Sequence, residues 1–485
     1  MKKIIKLDNV NLLTLFIFVF LTQFSSINHE VIDWDESTFF VLSNYISEGS
    51  ILYVDFWDGK PPLIFIYLSL FFKIFGNNLI VGRLAGDLLI FAIVLLIYKI
   101  LSRYYSAKIS MSSSMILIYL FSYDASQPTM SEHLGIFFIL ISMFMILRDL
   151  DRLNYFYIGV LFSLAFNTRN NLAFSCLGIF LFLLIVTKKS TLKNFPKLFF
   201  GFITPIFVFI IYFSFLGSVK NYLYMLVEFP IQNTANRYTL DELKSDIYTK
   251  LNLDKFVSIE VIILTLLSLS LFYFFIFNKK VNTNNLLLLN MFIFSLTLTS
   301  IIAGGRFYSH YLIQLFPFVA IFIAFGLNLI KKFPILNLSI LIFSILLNIN
   351  LLTLGIRNIN NFTNIKDNYP LLTISNYIDE NNLYKKEILV LDSHLIYFYN
   401  NNLTSPKVIH PSNQPDIKRN QNWLKSLNRL GVISMFEFET KLSNIPDLIL
   451  CNDLCFEYLD DNYFNENYVL DLYIDGVSLY KKNNS

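Results

Sequence analysis

Two short polar stretches carry residue types that could do chemistry. The first is Asp33-Trp34-Asp35-Glu36, and the second is Asp55-Phe56-Trp57-Asp58-Gly59-Lys60-Pro61-Pro62-Leu63. Carboxylates beside a cation suit group transfer from a lipid-linked phosphate. The carboxylate takes the proton from an acceptor hydroxyl, and the cation neutralises the departing phosphate. General-base help of this kind is worth roughly 10²- to 10⁴-fold. Lys60, a compact ammonium beside two prolines, fits the phosphate role, although an interfacial lysine with its stem along apolar surface uses the same residue type.

More ionisable residues lie near or inside apolar runs. Arg83 sits in one, Glu132 and His133 open another, Arg169 falls near the end of a third, and Arg306, His310 and Gln314 precede a fourth at helix-like spacing. A charge within hydrocarbon costs ~2.5 to 3.5 kcal/mol even on the gentlest insertion scale, so Arg83, Glu132 and Arg169 are expected to line a polar cavity able to hold an anionic head group. Asp55, Asp58, Glu132, His133, Arg169 and His310 are the candidate substrate-binding residues. The five histidines are scattered and form no paired ligand motif, so no metal or other cofactor is assigned, although a divalent metal is compatible with these residues.

The elements that must position these side chains follow from composition. The 485 residues are 55% hydrophobic and only 15% charged, too little polar surface to coat a soluble globule, so the chain is a multi-pass α-helical membrane protein. The net charge of +3 is spread thinly and no basic run neutralises a nucleic-acid backbone, which excludes nucleic acid as a partner. Each crossing needs ~20 apolar residues. Candidate spans lie near 10–27, 81–101, 109–123, 132–147, 155–170, 172–187, 197–217, 257–277, 285–302, 311–330 and 335–356, about eleven transmembrane helices. With this count, Lys2/Lys3/Lys6, Arg103/Lys108, Arg148/Arg152, Lys188/Lys189/Lys193/Lys197, Lys279/Lys280 and Lys331/Lys332 fall on one side, which the positive-inside rule makes cytoplasmic. The expected location is the inner or plasma membrane, with the N-terminus cytoplasmic and the Asp35 and Lys60 stretches outside. Two further helices, at about 36–47 and 61–75, the latter opened by Pro61-Pro62 and stopped by Gly76, are expected to lie along the outer interface.

Beyond about residue 360 the periodic apolar runs end. Short strands such as Glu387–Leu391 and Asp447–Leu450 alternate with helical stretches, and Asp475-Gly476 suits a tight hairpin turn. The expected organisation is a membrane catalytic domain over 1–360 and a small extracytoplasmic α/β domain over 361–485. Three cysteines give no disulfide framework, though Cys451 and Cys455 are spaced so that a bridge is allowed.

The order Asp35-Glu36, Gly49, Tyr53, Asp55, Trp57, Asp58, Lys60-Pro61-Pro62-Leu63, Phe75-Gly76 and Arg83-Leu84 resembles the GT-C membrane glycosyltransferases that use polyprenyl-phosphate sugars, the group containing protein O-mannosyltransferases and lipid A aminoarabinose transferases. Weaker similarity continues through Glu132, Thr168-Arg169 and Arg306 to Pro317. The resemblance implies Asp35 as catalytic base with Glu36 beside it, and Lys60, Arg83 and Arg306 near the donor phosphate. It also implies interfacial helices that shape the acceptor and lipid entrances, and inverting transfer. The implied partners are membrane lipids, a polyprenyl-phosphate-linked sugar and a lipid, glycan or protein acceptor. Two alternatives stay open: a flippase or transporter of lipid-linked saccharides, which predicts charge spread through the membrane, and an oligosaccharide ligase or polymerase.

Overall fold

The computed structural model describes residues 2–122, 129–235, 285–304, 308–329, 334–410, 426, 428–431, 446–452 and 466–483. The expected span at 257–277, the basic pairs Lys279/Lys280 and Lys331/Lys332, Arg306 and Cys455 lie outside them. The described helices run in the order α1 (Lys2–Gln23), α2 (Trp34–Ser47), α3 (Leu63–Phe75), α4 (Leu79–Leu101), α5 (Ala107–Phe121), α6 (Ser131–Arg148), α7 (Tyr155–Phe166), α8 (Ala173–Val186) and α9 (Lys188–Phe215). Further helices follow, among them Asn285–Gly304, Phe316–Leu329, Pro334–Leu346, Ile349–Asn360 and Pro370–Glu380.

Among the described residues five helices are long and apolar enough to cross a membrane, or six if the pair Ser339–Leu346 and Ile349–Asn360, bent by 41°, is one span. α5, α7, Asn170–Val186 and Phe316–Leu329, expected as full spans, are shorter apolar helices. The chain is therefore a multi-pass helical membrane protein, with five or six long spans among the described residues. α2 and α3 occupy the two stretches expected as helices outside the spans.

The residues divide into two compact units: one of Met1–Ser25, Leu84–Tyr212 and Thr234–Arg357, the other of Ser26–Arg83, Phe213–Asn233 and Asn358–Ser485. In the first, α8 packs along Asn285–Gly304, and α5 along both Phe316–Leu329 and Pro334–Leu346. Small residues set the close crossings. A Cβ on Gly201 would collide with the Phe156 carbonyl, and one on Gly159 with the Leu198 carbonyl, so α7 and α9 touch backbone to backbone. This is how membrane helices gain contact when lipid tails are as apolar as the side chains. Ser175 and Thr297 add a hydroxyl-to-hydroxyl bond of 2.7 Å between their helices. The opposite flank of α9, with Phe200 and Phe207 exposed, suits lipid.

In the second unit α2 packs on α3 through Phe39 against Phe65 and Phe40 against Phe72. Asp33 caps α2 by accepting from the Asp35 N–H at 2.7 Å, and Gly76, at φ +88°, ends α3 in a conformation that a side chain resists. The C-terminal residues form a four-stranded sheet in the order β1-β2-β4-β3, from β1 (Ile388–Val390), β2 (Leu448–Cys451), β3 (Tyr468–Ile474) and β4 (Val477–Lys482). β1 and β2 are parallel, and β3 and β4 form the hairpin whose turn is Asp475 at φ +45° and Gly476 at φ +88°. Leu391, Ile449, Cys451 and Tyr468 form its buried cluster. Cys451 is disulfide-bonded and Cys176 is a free, buried thiol.

Residues 26–83 are tied to the C-terminal residues by specific bonds. Glu30 accepts the Leu371 and Leu372 N–H groups at 2.8 and 2.9 Å, which caps helix Pro370–Glu380. Trp57 donates its N–H to the Lys407 carbonyl at 2.6 Å and bridges Val408 in parallel.

Candidate active site

Asp35 and Glu36 stand in the first turn of α2, where carboxylates complement the positive helix end. Neighbours on a helix diverge by about 100°, so the two acids serve different partners. Asp35 Oδ1 receives Lys60 Nζ at 2.8 Å and His410 Nε2 at 2.8 Å. An ionised carboxylate only accepts, so the imidazole N–H donates. Side-chain exposure is 19% for Lys60, 10% for Asp35 and 9% for His410, so the three meet largely out of water. The Lys60 ammonium also lies 4.9 Å from the centre of the Phe39 ring.

The loop that delivers Lys60 is over-determined. Tyr53 adopts φ +67°, unusual for an aromatic residue, and is held there on several sides. Its N–H donates to the Phe56 carbonyl at 2.9 Å, its hydroxyl to the Lys60 carbonyl at 2.7 Å, and its carbonyl accepts from Asn221 Nδ2 at 2.7 Å. Asp55 accepts from the Ile51 N–H at 2.6 Å and Asp58 from the Lys60 N–H at 2.9 Å. Both carboxylates expected to meet substrate thus brace the backbone from which Lys60 projects. Trp57, almost wholly buried, anchors the same loop among Tyr53, Tyr224 and Phe229.

Glu36 turns to Arg83, whose Nη2 lies 3.0 Å from Glu36 Oε2 and 3.0 Å from the Glu30 carbonyl. Nη1 of Arg83 donates to the carbonyls of Ser26, at 3.2 Å, and His29. Both side chains are buried. Arg83, expected near the donor phosphate, ties residues 26–30 to the start of α2.

Burial shapes the neighbouring groups. Glu30 is pushed up to about 7 by desolvation, against the pull of its two backbone donors. Asp33 is raised by burial and by the Asp35 charge beside it. His394 is lowered to about 3 by burial, so it is a neutral imidazole. Its Nε2 lies 3.0 Å from Thr38 Oγ1 and 3.1 Å from the Trp34 carbonyl, pinning the segment after β1 to α2.

A second cluster lies in the other unit. Glu132 Oε1 is 2.7 Å from Arg169 Nη1 and 3.8 Å from His310 Nε2, and Ser131 Oγ donates to Glu132 Oε2 at 3.0 Å. The Arg169 guanidinium rests 4.5 Å over the Tyr311 ring, and Tyr308 stacks on His310. Asn171 donates to Gln314 Oε1 at 3.1 Å close by in the chain. His133 takes a different part. It packs edge-on against Phe121, and its Nδ1 accepts from the Met130 N–H at 3.4 Å at the start of α6.

Asp35 with Lys60, Glu36 with Arg83, and Glu132 with Arg169 and His310 are pairings of residues that the sequence singled out. His410, Glu30 and His394 were not among them. Each lies more than 340 residues from its bonded partner on α2 or in helix Pro370–Glu380, and no local motif marks it.

Residues 59–213 match the family model described as dolichyl-phosphate-mannose-protein mannosyltransferase. The fold is similar to the crystal structure of ArnT from Cupriavidus metallidurans bound to undecaprenyl phosphate. The TM-score is 0.60 at 12% identity, over 100% of this chain and 99% of that one. A comparison with curated protein sequences gives no match. The first two findings agree with the resemblance to GT-C membrane glycosyltransferases carried by Asp35 to Leu84, and the structural match shows a shared fold.

Proposed function

We propose that this protein is an integral membrane glycosyltransferase. It moves one sugar from a polyprenyl-phosphate donor to a lipid, glycan or protein hydroxyl on the extracytoplasmic side, with inversion and with Asp35 as general base. The observation that carries the proposal is the convergence of Lys60 and His410 on one oxygen of a largely buried Asp35 at 2.8 Å each. A carboxylate paired with an ammonium on a flexible stem offers what the transfer needs at its two ends, a proton acceptor and a counter-charge. The acceptor oxygen attacks the anomeric carbon from the face opposite the phosphate. Its proton passes to the Asp35 carboxylate, the new C–O bond forms, and the anomeric C–O(phosphate) bond breaks with its electron pair kept by the phosphate. Lys60 neutralises that charge, and polyprenyl phosphate leaves.

Undecaprenyl phosphate in the similar ArnT structure supports a polyprenyl carrier, and the family match supports a sugar as cargo. The outward orientation draws support from the alternation of Lys and Arg between loops and from the Cys451 disulfide, since disulfides persist in oxidising compartments. Arg83 and Glu36 act as the frame for residues 26–36, and Glu132, Arg169 and His310 form a polar cluster within their own unit. The test is incubation of purified protein with radiolabelled polyprenyl-phosphate sugars and lipid, glycan and peptide acceptors. Protein-dependent release of label from the carrier is expected, and its absence with every donor refutes the proposal.

A further inference from the structure

Lys60 faces two demands in this reading. It holds Asp35 before the donor arrives, and it must neutralise the phosphate during transfer. The two donors on Asp35 Oδ1 differ in how freely they can move. Lys60 has a flexible four-carbon stem and three N–H groups, and it is the most exposed member of the trio, at 19%. His410 is short and nearly buried, and the residues just before it are held by backbone pairing. Two residues before it the chain pairs in parallel through Val408 with Trp57, Lys407 accepts the Trp57 N–H at 2.6 Å, and the intervening Ile409 is fully buried. The Trp34 ring meets the imidazole edge-on with centroids 6.4 Å apart.

We infer that His410 is a positioning residue that keeps the Asp35 carboxylate oriented and hydrogen-bonded while Lys60 shifts from Asp35 to the phosphate of the lipid-linked donor. The inference rests on the proposed function, because it takes Asp35 as the base. When Lys60 moves, Oδ1 loses its ammonium donor. A largely buried carboxylate deprived of donors favours its protonated form, which cannot accept a proton from the acceptor. His410 keeps its 2.8 Å contact to Oδ1 throughout, so the carboxylate remains oriented and hydrogen-bonded at the step that needs it. The C-terminal segment thereby completes a site whose acid and cation come from the first sixty residues.

The experiment is steady-state transfer by the full-length protein, with donor varied at saturating acceptor. His410→Ala should lower kcat about 10- to 100-fold, the worth of a hydrogen bond to a charged group, while the donor KM stays within about threefold. Lys60→Ala should lower kcat and also raise the donor KM, because Lys60 meets the phosphate both in the bound donor and in the transition state. His410→Gln, whose amide N–H reaches a similar distance, should recover most of kcat, and His410→Asn, too short, should not. Thermal unfolding of each variant separates loss of fold from loss of turnover, and the Gln/Asn contrast serves if the Ala variant does not fold. An unchanged kcat in His410→Ala, a raised donor KM as in Lys60→Ala, or a Gln variant no better than Asn overturns the inference. If instead Asp35→Asn turns over like wild type, the reading of Asp35 as base fails, which is a different result.

Discussion

Replacing Arg83 with methionine separates two roles that the sequence leaves together, phosphate ligand and internal strut. The guanidinium is buried, lies 3.0 Å from Glu36 Oε2, and also donates to the carbonyls of Ser26, His29 and Glu30. Methionine fills a similar volume but removes every one of these bonds. It leaves Glu36, 1% exposed, as a buried carboxylate without its cation. Breaking a buried pair by removing one partner costs roughly 3 to 5 kcal/mol, and the abandoned carbonyls add to it. The expected outcome is a large loss of stability in detergent-solubilised protein, measured by thermal or denaturant unfolding. Glu36→Gln in the same molecule should return part of it, with a coupling of about 1 to 3 kcal/mol. Polyprenyl-phosphate affinity of the fraction that stays folded should change little. A variant that unfolds like wild type but binds polyprenyl phosphate about 10-fold more weakly or worse would show that Arg83 is a phosphate ligand and that the strut account is wrong.

The remaining predictions concern other parts of the chain. Glu30 sits at about 7 in the folded protein against an ordinary 4.5, so the folded state holds its proton more tightly than the unfolded one. Its contribution is therefore fully present below pH 4.5 and lost as pH rises through 7, and unfolding midpoints of Glu30→Gln should show a flatter slope across that window. A slope identical to wild type contradicts the assignment. Gly201→Val drives a side chain into the Phe156 carbonyl and should destabilise by about 1 to 3 kcal/mol or more, whereas Phe200→Ala, on an exposed flank, should stay within ~0.5 kcal/mol. Equal melting temperatures for the two variants would argue against the backbone contact between α7 and α9.

Local signals carried the parts of this structure that are set locally. Apolar runs became helices, Asp33 and Pro62 opened α2 and α3, Gly76 closed the latter, and Asp475-Gly476 became the hairpin turn, because caps and left-handed turns depend on the residues in place. Lys60 meeting Asp35 was legible since the two short polar stretches that carry them flank the single helix α2 in an otherwise apolar region. The roles of Asp55 and Asp58 were harder to read. A carboxylate aimed at its own loop and one aimed at a ligand look the same in sequence, and only the strained Tyr53 turn explains why this loop needs bracing. α5 and α7 end at Phe121 and Phe166 because polar residues follow, Ser122 in one and Asn167-Thr168-Arg169 in the other, and this local signal leaves both helices shorter than a full crossing. The grouping of residues 26–83 with 358–485, and with it His410 on Asp35 and Glu30 on helix Pro370–Glu380, depends on contacts between distant segments. Periodicity and spacing carry no record of those.

The central claim is that the Asp35 carboxylate takes the acceptor's proton, and a single substitution tests it most directly. Asp35→Asn keeps the size and can still hydrogen-bond, but its amide is not a base at neutral pH. Initial rates of label transfer from a radiolabelled polyprenyl-phosphate sugar should fall roughly 10²- to 10⁴-fold relative to wild type, with the variant folded and still binding the donor. Equal transfer by the two proteins would contradict the account.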